Sequence, residues 1–239
     1  MKKRVLVTGG TKGIGLEVAK MMLDLDYQVV VAGRDFSNFP LKDNKDVEMI
    51  EIDLSDMDAL PEFISKVGDI DVLVNNAGFG LHDKHADLNA DLLNTMLHLN
   101  ILAVSSLCHL FANRMQHSKS PTPKTIINIG STSAFQPIPM LAAYAASKAF
   151  VVNFTEALAI ELKDSGIDVH CVCPGTTKTP FLDVAGLSDN TQFGSTAYIA
   201  HKIAMSPSDV AELVFNIVGT NKTTAVPGLM NKLHYQMTH

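Results

Sequence analysis

Tyr144 and Lys148 stand four residues apart in AAYAASKAF, residues 142–150. On a helix that spacing puts both side chains on one face. A phenol and an ammonium could then serve a single proton. Free tyrosine titrates near pH 10, and a neighbouring positive charge lowers that value by stabilising the phenolate. The chain repeats the spacing as Tyr198-Ile-Ala-His-Lys202. Spacing alone does not choose between the two pairs, or between chemistry and ordinary helix. The elements that deliver each pair must decide.

Apolar runs of strand length alternate with helical stretches. The runs are 4–8, 28–33, 47–52, 71–75, 125–130 and 168–173; the helices fall near 14–25, 56–67, 87–116 and 142–164. Runs apolar throughout are buried on both faces, and alternation with helices makes the sheet parallel. The expected fold class is α/β, a doubly wound, Rossmann-type parallel sheet in one domain spanning 1–239. Ligands of such sheets bind beyond the carboxyl ends of the strands. The polar stretch 117–124, HSKSPTPK, reads as a surface loop rather than a linker.

The first run leads into VLVTGGTKGIGLEVAK, a strand, a glycine turn and a helix. Gly9, Gly13 and Gly15 permit a tight turn and a close backbone approach to a diphosphate at the helix N-terminus. The spacing is G-x-x-x-G-x-G rather than G-x-G-x-x-G. The second run ends at Gly33 with Arg34 next, and Lys12 lies in the glycine turn. Two cations suit a ribose 2′-phosphate. At about 1.5–3 kcal/mol per charge-assisted hydrogen bond they favour NADP over NAD by about two orders of magnitude. Asp35 falls one place late for the acid that binds a 2′-hydroxyl.

The glycine turn, NNAG at 75–78, Ser131 and YAASK together resemble the short-chain dehydrogenase/reductase family, in its compact single-domain branch. The resemblance covers residue 4 to about 180. It implies a Rossmann-type fold that binds NAD(P). It assigns Thr8, Gly9, Thr11, Lys12, Gly13, Ile14 and Gly15 to the diphosphate turn and Asp53 with Leu54 to the adenine. Asn75, Asn76, Ala77 and Gly78 fall to the segment beside the cofactor ribose. PGTTKT at 174–179 supplies Pro174, Gly175, Thr177 and Thr179 near the nicotinamide. It makes Ser131, Tyr144, Lys148 and Asn100 the catalytic group, with Tyr144 and Lys148 also touching cofactor. Ser131 lies 13 residues before Tyr144 at a strand end, whereas Ala185 holds that place before Tyr198. Tyr144 is therefore the chemical tyrosine, and Tyr198 and Lys202 belong to a covering segment.

Such a group reduces a ketone or oxidises a secondary alcohol. Hydride moves between nicotinamide and carbon while Tyr144, within hydrogen-bond reach, moves the proton. Ser131 holds the substrate oxygen. Lys148 shares the lowering of the tyrosine pKa with the cationic oxidised cofactor. A non-catalytic NADP-binding regulator is the alternative; a sugar-nucleotide epimerase lacks its glycine spacing and C-terminal domain here.

Composition bounds the rest. Net charge is −6 and 46% of the 239 residues are hydrophobic. No basic stripe is present, so nucleic acid is not an expected partner. No uninterrupted apolar run approaches the roughly 18 residues of a membrane span. No signal-peptide core follows Lys2-Lys3-Arg4, so a cytoplasmic chain is expected. Cys108, Cys171 and Cys173 read as buried free thiols. His82 and His85 read as polar loop, and no metal site is expected. Met21, Met22 and Met96 read as core. The apolar helix 87–116 suggests a homodimer, with a tetramer possible. The terminal TTAVPGLMNKLHYQMTH departs from the family's usual strand and paired glycines, which puts the tetramer in doubt. Residues 180–206, with Phe181, Leu182, Phe193 and Met205, are expected to cover an apolar substrate pocket.

Overall fold

The computed structural model describes residues 2–118, 122–179 and 204–228. The strands are β1 (Arg4–Thr8), β2 (Gln28–Gly33), β3 (Val47–Glu51), β4 (Val72–Asn75), β5 (Lys124–Ile129), β6 (Ile167–Val172) and β7 (Thr224–Ala225). They form one seven-stranded sheet in the order β3-β2-β1-β4-β5-β6-β7. Every pairing is parallel. The chain winds outward in one direction from β1 and in the other from β4. Their carboxyl ends therefore open a crevice at the point where the order reverses, as in Rossmann-like sheets.

The helices are α1 (Gly13–Asp24), α2 (Leu60–Val67), α3 (Ala90–Leu97), α4 (Val104–His117), α5 (Ala142–Leu162) and α6 (Pro207–Ile217). Successive strand side chains point to opposite faces, which divides the core in two. Val5, Val7, Val29, Val31, Val72 and Val74 pack with Val18 and Met22 of α1 and Val210 and Val214 of α6. Leu6, Val30, Leu73 and Ile126 pack with Phe63 of α2, Leu107 and Phe111 of α4 and Val151 of α5.

Three expectations need amendment. Run 47–52 is not buried on both faces: β3 is the sheet edge, and Glu48, Met49 and Glu51 are exposed. The helix near 56–67 is a 3-10 turn at Met57–Ala59 followed by α2, whose Pro61 lies at the start, where its missing N–H costs nothing. The helix expected over 87–116 begins at Ala90, capped by the Asn89 side chain, and is widened by a π-helical segment at His98–Ala103 before α4. By length and composition alone the stretch Ala90–His117 could cross a membrane. Its apolar face, from Met96 through Leu107 and Phe111 to Met115, is buried in the fold. Leu92 and Leu102 remain exposed on it, as do Phe150 and Ile160 on α5.

Two elements remain: α6 has no counterpart in the expectations, and β7, paired with β6, falls within TTAVPG, where the chain was expected to depart from the usual strand. The signal for α6 was present. Ser206-Pro207-Ser208-Asp209 forms a reciprocal capping box with Pro at the first turn, ahead of Val210, Val214 and Ile217 at helical spacing. β7 is two residues long, too short for periodicity to register.

Candidate active site

The β1 side of the crevice is made mostly of backbone. Thr8 is buried, and its Oγ1 accepts the N–H groups of Asn76 and Ala77, each at 3.0 Å, and donates to Val74 O at 3.3 Å. Asn76 Nδ2 donates back to Thr8 O at 2.9 Å and Gly9 O at 3.1 Å. The turn after β1 is thereby fastened to the segment after β4. Gly9 adopts φ 62°, open to glycine at little cost. Gly15 is required for another reason: a Cβ there would stand 2.5 Å from Gly9 O and from Asn76 Nδ2. No side chain caps α1, and no acidic residue lies in its first turn. Its leading N–H groups thus suit an anion, as a dinucleotide diphosphate requires.

Arg34 and Lys12 both line the cleft and are exposed. So does Asp35, because β2 ends at Gly33 and leaves both following residues in the loop. Asp35 Oδ1 accepts the Ser37 N–H at 2.8 Å. That bond and the nearby Lys12 hold its carboxyl below the ordinary value. Asp53 is exposed, yet the neighbouring protein removes enough water from its carboxyl to raise it. Hydrogen bonds from the Ser55 side chain and backbone, with Arg34 nearby, outweigh that and lower it overall.

The opposite wall is made of side chains. Ser131 follows β5 and caps the 3-10 turn Thr132–Phe135. Tyr144 and Lys148 project from the first turns of α5. Tyr144, Lys148 and Ser131 are all buried, and Tyr144 shares a hydrogen bond with Ser131. Lys148 Nζ lies 6.0 Å from the centre of the Tyr144 ring and donates to Ile129 O at 2.9 Å. Burial pushes the Tyr144 phenol up to about 12, and burial pushes Lys148 down to about 8. Two buried groups that each disfavour their charged forms are thus held side by side.

A cleft of about 640 Å³ joins the two walls. It is lined by Gly9, Thr11, Lys12, Gly13, Ile14, Arg34, Asp53, Leu54, Asn76, Ala77, Gly78, Ser131, Tyr144, Lys148, Pro174, Gly175, Thr177 and Thr179. That volume is ordinary for a small-molecule or cofactor site. Thr8, Gly15 and Asn100 do not line it. Thr8 and Gly15 support the turn from behind, as above. Asn100, 1% exposed, accepts from Phe79 N at 3.2 Å and donates to Phe79 O at 2.9 Å and Ser147 Oγ at 3.1 Å. It clamps the segment after Gly78 to α5 one residue before Lys148. Asn75 also sits behind the wall, donating to Asn128 Oδ1 at 2.8 Å.

Lining residues that the sequence reading missed include Asp35, Phe79, Leu141, Ser133 and Thr176. Each is adjacent, or nearly so, to a recognised motif, and that adjacency was the available signal. Met205 pairs with Thr177 in an isolated parallel bridge. Tyr198, Lys202, Phe181, Leu182 and Phe193 lie outside the described residues. Cys171 and Cys173 are buried, 3.6 Å apart at sulfur, and Cys108 is buried beside Asn75 and Asn128. Among the described residues no group of three His, Cys, Asp or Glu could hold a metal ion.

A family model described as short chain dehydrogenase matches residues 3–190. The chain belongs to that family and is an oxidoreductase of the kind that binds a nicotinamide cofactor. It is 33% identical over 181 residues to the acetoacetyl-CoA reductase of Shinella zoogloeoides, covering 73% of this chain and 74% of that protein. It resembles the solved short-chain dehydrogenase of Sphingobium yanoikuyae in complex with NADPH, with TM-score 0.82 and 25% identity over 98% of this chain and 91% of that one. The fold also matches 4-hydroxyisoleucine dehydrogenase complexed with NADH, with TM-score 0.82 and 23% identity over 94% of this chain and 96% of that one. Both nicotinamide cofactors are thus represented among the solved structures that share this fold.

Proposed function

We propose that the protein is an NADP(H)-dependent oxidoreductase that interconverts a ketone and a secondary alcohol, with Tyr144 as proton donor and acceptor. One observation carries the reading: a single cleft runs from the uncapped N-terminus of α1 to a buried phenol that shares a hydrogen bond with Ser131. The bound nicotinamide supplies or accepts the hydride.

The chain supplies the rest. Ser131 donates to the carbonyl oxygen and fixes its position. The Tyr144 O–H bond breaks as the new alcohol O–H forms, leaving a phenolate. A phenol held near 12 keeps its proton until then. Lys148, charged at neutral pH, offsets the phenolate as it develops. Asn100 keeps the Phe79 backbone and α5 in register around that pair.

The NADP preference rests on Arg34 and Lys12 at the end of the cleft beyond β2. Asp35 opposes a phosphate there, but its carboxylate is turned onto its own backbone at Ser37. Replacing Arg34 with Ala should weaken NADPH by about tenfold more than NADH. Equal losses in dissociation constant for the two cofactors would remove the preference.

The alternative is a protein that binds NADPH without turning it over. A panel of ketones, 3-oxoacyl thioesters among them, followed by NADPH oxidation, separates the two. Reduction of at least one ketone is expected. Tight NADPH binding with no reduction across the panel would favour the binding protein.

A further inference from the structure

We propose that Leu141 determines specificity on one side of the substrate carbonyl: held rigidly at the mouth of α5, it admits ketones whose apolar substituent on that side is unbranched. The inference rests on the role proposed for Tyr144.

Leu141 lines the cleft three residues ahead of Tyr144. Its carbonyl accepts the Ala145 N–H at 2.8 Å as α5 begins. Residues three apart on a helix are neighbours on its surface. Leu141 therefore stands on the phenol's side of the cleft, away from the diphosphate turn. Its side chain has no atom that can bond a polar group. A ketone that gives its oxygen to Tyr144 meets an alkyl wall there.

The backbone just ahead of that wall is strained. Among the described residues only Asp26 and Met140 combine a side chain with positive φ, and Met140 adopts 68°. The Leu141 N–H donates to Ile138 O at 3.1 Å and closes the turn Ile138-Pro139-Met140-Leu141. Proline in the second place and positive φ in the third mark a type II turn, whose third place glycine fills most readily. Methionine is uncommon in that region of backbone space. A further bond fastens it, from the Asp83 N–H to Met140 O at 3.0 Å. That bond ties the turn to the segment that follows Phe79, another residue lining the cleft. Strain of this kind persists only where the surroundings over-determine the backbone, and it gathers at ligand-binding positions. Here three main-chain hydrogen bonds, at Ile138, Asp83 and Ala145, hold Leu141 from both sides. The wall cannot swing aside with its loop, so the volume of its side chain decides which ketones reach Tyr144.

The test compares kcat/KM for a methyl ketone with a straight alkyl chain and for its isomer branched next to the carbonyl. Leu141→Ala should raise the branched-to-straight ratio roughly 10- to 200-fold, the scale on which a hydrophobic pocket discriminates. Leu141→Phe should lower it, and NADPH affinity should stay at the parent's level in both. Met140→Gly, which suits the turn, should keep the parent's ratio. Met140→Val, which the turn disfavours, should move the ratio toward that of Leu141→Ala. A ratio unmoved by both Leu141→Ala and Leu141→Phe would overturn the inference. The parent's ratio in Met140→Val, at the parent's thermal midpoint, would overturn the part played by the turn. Binding gives a readout free of turnover: the Kd of each ketone for the NADPH complex, followed by NADPH fluorescence, with the Leu141 changes placed in a Tyr144→Phe background. The two ketones should rank there as they do in kcat/KM. That ranking with no reduction by the parent would sink the oxidoreductase reading alone. Ketones that fail to bind, or bind with one Kd whatever stands at 141, would sink the Leu141 inference.

Discussion

Between Thr8 and Gly15 the cleft is walled by backbone; between Ser131 and Lys148 it is walled by side chains that donate or titrate. On the first wall Thr8 and Asn76 spend their hydrogen bonds on main-chain groups, so the turn is set before any ligand arrives. On the second wall burial pushes Tyr144 up and Lys148 down. Neither group is settled by its protein surroundings. The first wall is finished by folding; the second is finished only when a charged or polar ligand joins it. Damage to the first should appear as lost stability and cofactor affinity. Damage to the second should appear as lost turnover in a protein that still folds.

The sharpest way to break this contrast is Lys148→Met, which removes the ammonium and keeps the length of the stem. Turnover should fall by roughly 10²–10⁴-fold. Denaturant unfolding should show a protein as stable as the parent, or more so at neutral pH. A collapse of stability would mean that Lys148 is structural. The sign follows from burial. Lys148 titrates near 8 when folded, against an ordinary 10.5. Between those values the unfolded chain binds the extra proton, so stability from this group rises with pH. Compared with Lys148→Met, the parent should therefore gain about 2 kcal/mol between pH 8 and pH 10. Tyr144, raised above its ordinary 10, changes stability only beyond that window. A flat difference across the window would mean that Lys148 is not buried as a costly charge.

The smallest effect belongs to the first wall. Gly15→Ala forces a Cβ against Gly9 O, a backbone atom that cannot swing away. Destabilisation of about 1–3 kcal/mol is expected, with weaker NADPH binding and near-normal turnover once cofactor saturates. Loss of turnover at saturation with intact stability would reverse the roles of the two walls.

The sequence made the contrast partly legible. Glycines and the Asn-Asn-Ala-Gly stretch mark the first wall because tight turns and close approaches admit few residue types. Tyr144 and Lys148 mark the second because helical spacing fixes their shared face. The ionisation of the pair was not legible. It depends on burial in three dimensions, which spacing along a helix does not reveal. Nor could spacing show that Asn100 stands behind the wall, since that depends on the π-helical widening at His98–Ala103. Glu48, Met49 and Glu51 read as part of a buried run because an edge strand differs from an inner one only in its neighbours. The capping box at Ser206 was readable, but it lies beyond the motif-bearing part of the chain.

The central claim is that a buried phenol moves the proton. Tyr144→Phe tests it most directly, with NADPH oxidation by an accepted ketone and NADPH affinity measured on the same preparation. Turnover should fall by about 10²–10⁴-fold while affinity stays at the parent's level. Turnover equal to the parent's, at that same affinity, would place the proton donor elsewhere and contradict the account.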